Sequence, residues 1–297
     1  MQRAGMRLTI STVLLAVLLL PSETAWGWGF PAHRRINRHA VELLPAPLGD
    51  YYRAHSSWLV ALATDADQRK RYSPEEAPSH YIDFEYYGDG PYAGLPHNRR
   101  AAEERFGREN LPKWGTLPWH AVGLTEALRD AMAAGEWERV LVLSADLGHF
   151  IGDGHQPLHT TVNYDGKDSG NDGVHSLFES VMVSHFLERY QPDNPPLVPI
   201  DSLAPAIFGW LEESYGHLQA LLDADSRARQ GLTGEQRQAL TEARFNVAVA
   251  SLPAGYLDKL YAGAGQLAWD RMELAAVRLA SLWQWAWVQA GRPDPPG

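Results

Sequence analysis

The stretch His149-Phe150-Ile151-Gly152-Asp153-Gly154-His155-Gln156-Pro157-Leu158-His159 decides how the 297-residue chain is read. Residues four apart on an α-helix stand one above the other, so His149 and Asp153 project from one face about one turn apart. Leu143, Leu147 and Phe150 lead into them at helical spacing. Pro157 cannot continue a helix, because it lacks an N–H and its ring clashes with the preceding turn, and the break lets His159 come back toward the same point. Two imidazoles and a carboxylate gathered in this way form a metal-binding constellation at the end of a helix.

Outward from that stretch, His175 and Glu179 repeat the i, i+4 spacing on what reads as the next helix. Upstream, His80 stands in Pro78-Ser79-His80-Tyr81-Ile82-Asp83, Asp65 and Asp67 close the apolar run from Trp58 to Ala63, and His33 lies near the start of the chain's first helical segment. A solitary helical histidine is ordinarily a satisfied core residue, but two such pairs so close together are hard to read as decoration. Imidazole and carboxylate ligands without thiolates suit zinc, although manganese or iron accepts the same groups.

The rest of the chain carries the same 3.6-residue apolar period: Ile36, Ala40, Val41 and Leu44; Leu124, Leu128 and Met132; Met272, Ala275, Leu279, Leu282 and Ala286. Proline and glycine punctuate it at Pro45 and Pro47, Pro74 and Pro78, Gly88 to Pro96, Gly115 to Pro118, Gly166 to Gly173, Pro192 to Pro199 and Pro253 to Gly255. Only Ser79 to Tyr86 could be extended, and it is short. The expectation is therefore an all-α, single multi-helix domain over residues 28–290, followed by a disordered Pro/Gly-rich tail at 291–297. Trp283 and Trp287, one turn apart on the last helix, read as core, with Trp285 off that face.

The N-terminus reads as a signal peptide over residues 1–27. Arg3 and Arg7 precede a mostly apolar run from Leu8 to Leu20, shorter than the roughly 20 residues that span a bilayer, and Ala25-Trp26-Gly27 offers small residues for cleavage after Gly27. The protein is therefore expected to be exported, to a periplasm or the extracellular space. The net charge of −10 moves to −11 once Arg3, Arg7 and Glu23 leave. Such a chain lacks the basic stripe of a protein that tracks duplex nucleic acid, yet metal ions could still bring it to a phosphate. There is no cysteine, so no disulfide can brace the fold, and bound metal could take over part of that role.

The quoted residues carry a resemblance. His149-x-x-Gly152-Asp153-x-x-Gln156-Pro157-x-His159 resembles the signature of the superfamily that unites bacterial zinc-dependent phospholipase C with single-strand-specific nucleases of the mung-bean type. Trp28-Gly29-x-x-x-His33, His80-Tyr81-Ile82-Asp83, and Gly170-Asn171 followed by His175-x-x-Phe178-Glu179 extend the match over residues 28 to 180. The resemblance implies an all-α fold and a site for three zinc ions. One would be held by His80, His149 and an aspartate, either Asp67, which keeps an Ala-Asp pair and is preferred, or Asp65, which better keeps the distance to His80. A second would take the freed amino nitrogen and the carbonyl of Trp28 with His33. Asp153 would bridge the two, and His159, His175 and Glu179 would hold the third. His155 would orient ligands without binding metal, and His39, His97 and His120 match no ligand position.

Read as chemistry, this is a hydrolase of phosphoric diesters acting through metal-activated water, with Asp153 and Asp67 the candidate catalytic carboxylates. The main expectation is a phospholipase C-like phosphodiesterase acting on a phospholipid head group, because the His159-to-His175 spacing is short and Glu179 is a glutamate. The alternative is a sugar-nonspecific nuclease acting on single-stranded nucleic acid, in which Tyr81 stacks a base and Asp83 accepts its edge hydrogen bonds. A non-catalytic metal-binding protein is a third reading, against which the intact ligand positions argue. No stable protein partner is evident, and the substrate is expected to be chosen by the loops Tyr86 to His97 and Tyr164 to Gly173.

Overall fold

In the computed structural model, which describes residues 28–88, 94–243 and 247–296, the chain is built from helices, and no strand occurs among the described residues. Residues 1–27, where the leader is expected, lie outside them, as does the 89–93 part of the first expected substrate loop. The helices of the first half are α1 (Phe30–Leu43), α2 (Leu48–Ala54), α3 (Ser56–Leu62), α4 (Asp65–Arg69), α5 (Arg99–Phe106), α6 (Leu111–Trp114), α7 (Leu117–Ala134) and α8 (Trp137–Gly154). Then come α9 (Val174–Ser176), a π-helical segment Leu177–Met182, α10 (Val183–Phe186), α11 (Leu203–Gly216), α12 (Leu218–Ala228), α13 (Gly234–Glu242) and α14 (Tyr256–Gln289). The short segment considered extended, Ser79 to Tyr86, lies instead mostly in two 3-10 turns, Pro74–His80 and Phe84–Tyr87.

Three helices frame the site. Pro31 stands in the first turn of α1, where the absent N–H has no intrahelical role, so His33 is presented by the first turns of a helix. The face of α1 bearing Ala32, His33, Ile36, Asn37 and Ala40 is buried. It lies against the C-terminal half of α8, where Gly148 and Gly152 make room: a Cβ on Gly148 would fall 2.0 Å from Asn37 Oδ1, and one on Gly152 would fall 2.8 Å from His33 Nδ1. The third is α14, 34 residues long, which packs along α1, α7, α8 and α12. Its alanines at 264, 268, 275, 276 and 280 are buried, and small side chains there let the neighbouring backbones approach closely.

Trp283 on α14 is fully buried with its ring 4.9 Å from Tyr52, and Trp287 is buried too, whereas Trp285 is only half-buried. No helix among the described residues is long and apolar enough to cross a membrane. Residues 292–296 form no regular element and are held by the Trp287 indole, which donates to the Pro293 carbonyl at 2.9 Å.

Candidate metal centre

Near its end α8 delivers His149 and Asp153 one turn apart, both fully buried, and the predicted residues gather around them. Asp153 Oδ2 lies 2.9 Å from His80 Nδ1 and 3.3 Å from His149 Nε2, while Oδ1 lies 3.4 Å from His33 Nε2 and 3.8 Å from His159 Nδ1. Asp67 Oδ1 sits 3.8 Å from His80 Nδ1 and 3.7 Å from His149 Nε2. Asp67 is buried and Asp65, the alternative, is only half-buried and stands in none of these groupings. The helix α4 explains the choice: its inward face carries Ala66 and Asp67.

The second grouping lies beyond Pro157. His159 sits in the 3-10 turn Pro157–Thr160, and α9 and the π segment supply His175 and Glu179. Glu179 Oε2 is 3.0 Å from His175 Nε2 and 3.5 Å from His159 Nε2, and the two imidazole nitrogens are 3.2 Å apart. In each of the sets His80/His149/Asp153, His33/Asp67/His149 and His159/His175/Glu179, the donor atoms lie within 4.8 Å of one another. His33 stacks on His149 with ring centroids 4.0 Å apart, so it stands near both aspartates.

The far sides of two imidazoles are already committed. His149 Nδ1 faces the Ala63 carbonyl at 3.0 Å and His159 Nδ1 faces the His80 carbonyl at 2.7 Å. A neutral ring that donates from Nδ1 keeps its lone pair on Nε2, which in both cases is the atom aimed into the cluster. The opposite pattern holds at His80, whose Nδ1 points inward.

The electrostatics ask for a cation. Buried oxygens Asp67 Oδ2, Asp153 Oδ1 and Glu179 Oε1 have no hydrogen-bond partner, and neither does His33 Nε2. Burial alone would raise the pKa of Asp153, but His149 and His159 outweigh it and hold the carboxyl well below its usual range. Against burial, His175 and His159 likewise bring Glu179 down to about 2. His159 rises to about 9, as Asp153 and Glu179 overcome its burial, and His149 rises for the same kind of reason. His33 and His80 go the other way through burial, His80 to about 3. Carboxylates that hold protons on neighbouring imidazoles would exchange them for a metal ion, so these donors fit zinc chemically.

Trp28 is fully buried between the two groupings. Its indole donates to the Gly152 carbonyl at 2.8 Å, its ring lies 5.6 Å from Phe178, and the next residue's N–H reaches the Glu179 carbonyl at 3.4 Å. His155, expected to support the ligands without binding metal, stands at the end of α8 and in none of the metal groupings. Its Nδ1 faces the Ile151 carbonyl at 2.7 Å and its Nε2 accepts from Arg278 at 3.0 Å, so it ties the end of α8 to α14 and not to a ligand side chain. Burial, with Arg271 and Arg278 nearby, keeps its pKa well below the usual value. His39 bonds the Asp193 carbonyl, while His97 and His120 pack on Phe208 and Phe150.

Several side chains with no role assigned from the sequence support the candidate ligands. Gln156 donates to Glu179 Oε2 at 2.7 Å, and Lys70 Nζ pairs with Asp67 Oδ1 at 2.5 Å. Asn171, quoted above only as a motif residue, donates to Asp225 Oδ2 at 2.7 Å, and Arg229, paired with Asp225, donates to the carbonyls of Asn171 and Asp172. This buried network fixes the loop that leads into His175.

Above the cluster opens a cavity of about 600 Å³. His80, His159 and His175 form its floor, Tyr81, Asp83 and Tyr164 stand on its walls, and Lys70, Arg71 and Lys113 bring cations to it. Burial, and then Glu85, pushes Asp83 up to about 7.

An all-helical domain with buried histidines and carboxylates converging beneath a cationic, aromatic cavity defines a metal-dependent phosphoesterase. The chain belongs to the S1/P1 nuclease family, which it matches over residues 32–284, and is a hydrolase acting on phosphoric ester bonds. No curated protein matches it significantly. Enzymes of the family are zinc-dependent. Membership favours the nuclease alternative over the phospholipase C-like reading, for which the phospholipid head group finds no support. The match spans the His159-to-His175 spacing and Glu179, on which the phospholipase C-like expectation rests.

Proposed function

We propose that the protein is an exported nuclease that cuts single-stranded nucleic acid at its phosphodiester bonds. The observation that carries this reading is the cavity, in which the imidazole floor shares one space with aromatic rings, a carboxylate and cations. Phosphate needs the cations and an unpaired base needs the rings.

His80, His149, Asp67 and Asp153 would hold one zinc, Trp28 and His33 with Asp153 a second, and His159, His175 and Glu179 a third. Zinc bound there supplies Lewis acidity toward phosphoryl oxygens and lowers the pKa of a coordinated water toward ~7. The chain's own groups do the rest. Lys70, Arg71 and Lys113 neutralise the phosphate as it enters, and Lys70 also holds the Asp67 carboxylate in place. Asp67 Oδ2, buried without a partner, can accept a proton from the attacking water. Tyr81 stacks a base beside the scissile bond, with its hydroxyl anchored on the Lys113 carbonyl at 3.3 Å. Asp83, near half-protonation at neutral pH, can accept from a base edge as a carboxylate or donate to it as an acid.

The test pairs elemental analysis of the processed, zinc-loaded protein with assays on single-stranded DNA, RNA and phosphatidylcholine vesicles. Both polynucleotides should be cleaved, the lipid should not, and about three zinc ions per chain should be found. Hydrolysis of the lipid with both polynucleotides left intact would overturn the reading.

A further inference from the structure

We infer that Tyr86, backed by Trp114, is a base-stacking platform outside the cavity that engages an unpaired base of a strand whose scissile phosphate lies within; the inference rests on the nuclease reading.

Tyr86 is 46 % exposed although it is a large aromatic, and its ring stacks on Trp114 at 5.3 Å and an interplanar angle of 16°. Trp114 covers one face, and among the described residues no other ring is stacked on Tyr86, which keeps nearly half of its surface exposed. The support is rigid: Tyr87 meets Trp114 and Phe106 edge-on at 5.5 and 5.2 Å, and its hydroxyl donates to the Gly115 carbonyl at 2.9 Å. An aromatic already fixed by its neighbours loses little freedom when a base lands on it.

The platform is continuous with the cavity on both of its sides. Trp114 follows Lys113, a cavity residue, and the Trp114 carbonyl accepts from the Asp83 N–H at 2.7 Å. On the other side Glu85, the residue before Tyr86, binds the Thr161 hydroxyl at 2.5 Å and the Val162 N–H at 3.1 Å, and both of those residues line the cavity. The segment from Tyr81 to Tyr86 thus runs along the rim, placing Tyr81 inside and Tyr86 outside.

The occupant follows from chemistry. Lys113 lines the cavity, its carbonyl accepts from the Tyr81 hydroxyl and it directly precedes Trp114 beneath Tyr86, so on a chain whose net charge is −10 an anionic ligand that spans both tyrosines meets a cation there. A single strand alternates phosphate with a flat, exposed π-face and so matches the alternation of Lys113 with Tyr81 and Tyr86. Bases of a duplex are already stacked and paired and cannot lie on the ring without being extruded.

The experiment compares kcat/KM for a single-stranded dodecamer and for bis(p-nitrophenyl) phosphate, which is too small to bridge both rings, in the zinc-loaded parent, Tyr86→Ala and Tyr86→Phe. The oligomer-to-small-diester ratio should fall about 10-fold in Tyr86→Ala, mainly through KM, and return to within about twofold of the parent in Tyr86→Phe. A merely structural lesion would lower both substrates together and leave the ratio unchanged, and that result overturns the platform alone. A parent that hydrolyses the small diester but not the oligomer overturns the nuclease reading and the platform with it.

Discussion

Asp153 faces four imidazoles, those of His33, His80, His149 and His159, whereas Asp67 and Glu179 face two each. Asp153→Asn removes the charge that holds this group together while keeping its shape. The variant should bind at least one metal ion fewer per chain and lose roughly 100-fold or more in diester hydrolysis. Full zinc content by elemental analysis, with activity within tenfold of the parent, would refute its central place. At this scale the sequence was readable where ligands follow helical spacing: His149 with Asp153 and His175 with Glu179 are pairs because one turn separates them. It also favoured Asp67 over Asp65. Lys70 and Lys113 gave no comparable signal, since they reach one cavity from the end of α4 and from α6, and no local spacing links two elements so far apart in the chain.

Between elements, the decisive contact is the close approach of α1 to α8 at Gly148 and Gly152. An added methyl at Gly152 would press on His33 Nδ1 at 2.8 Å and Cε1 at 3.0 Å, and the ring, stacked on His149, has nowhere to retreat. Gly152→Ala should therefore destabilise the fold by about 1–3 kcal/mol and displace His33 from the cluster. Gly123 on α7 supplies the contrast, because a Cβ there meets nothing within 4 Å, and Gly123→Ala should stabilise by up to about 1 kcal/mol. Denaturant titration and metal content check both; a Gly152→Ala protein as stable and as metal-loaded as the parent would show that the gap is not tight. Glycines of this kind are visible in a sequence, but which helix they admit is not. Asn171 shows the same limit, since its partner Asp225 lies 54 residues away on α12 and no local spacing links them.

Across the whole molecule, the nine candidate ligands all lie before residue 180, yet the longest helix, α14, comes last. From α14, Arg278 donates to His155 Nε2 at 3.0 Å and Arg271 to the His155 carbonyl at 3.2 Å, two residues beyond Asp153, and Glu213 of α11 pairs with both arginines. The C-terminal part of the chain, beyond the motifs that end at residue 180, thus braces the α8 terminus. A chain ending before Tyr256 keeps every ligand but loses this brace and the buried face of α14, and its zinc affinity should drop roughly 100-fold or more. Zinc titration giving the truncated chain the affinity of the full one would refute this. During synthesis the order of emergence turns this dependence into a delay. All the candidate ligands appear on the growing chain well before α14, so by the same prediction a nascent chain gains its full hold on metal only once this last helix has emerged.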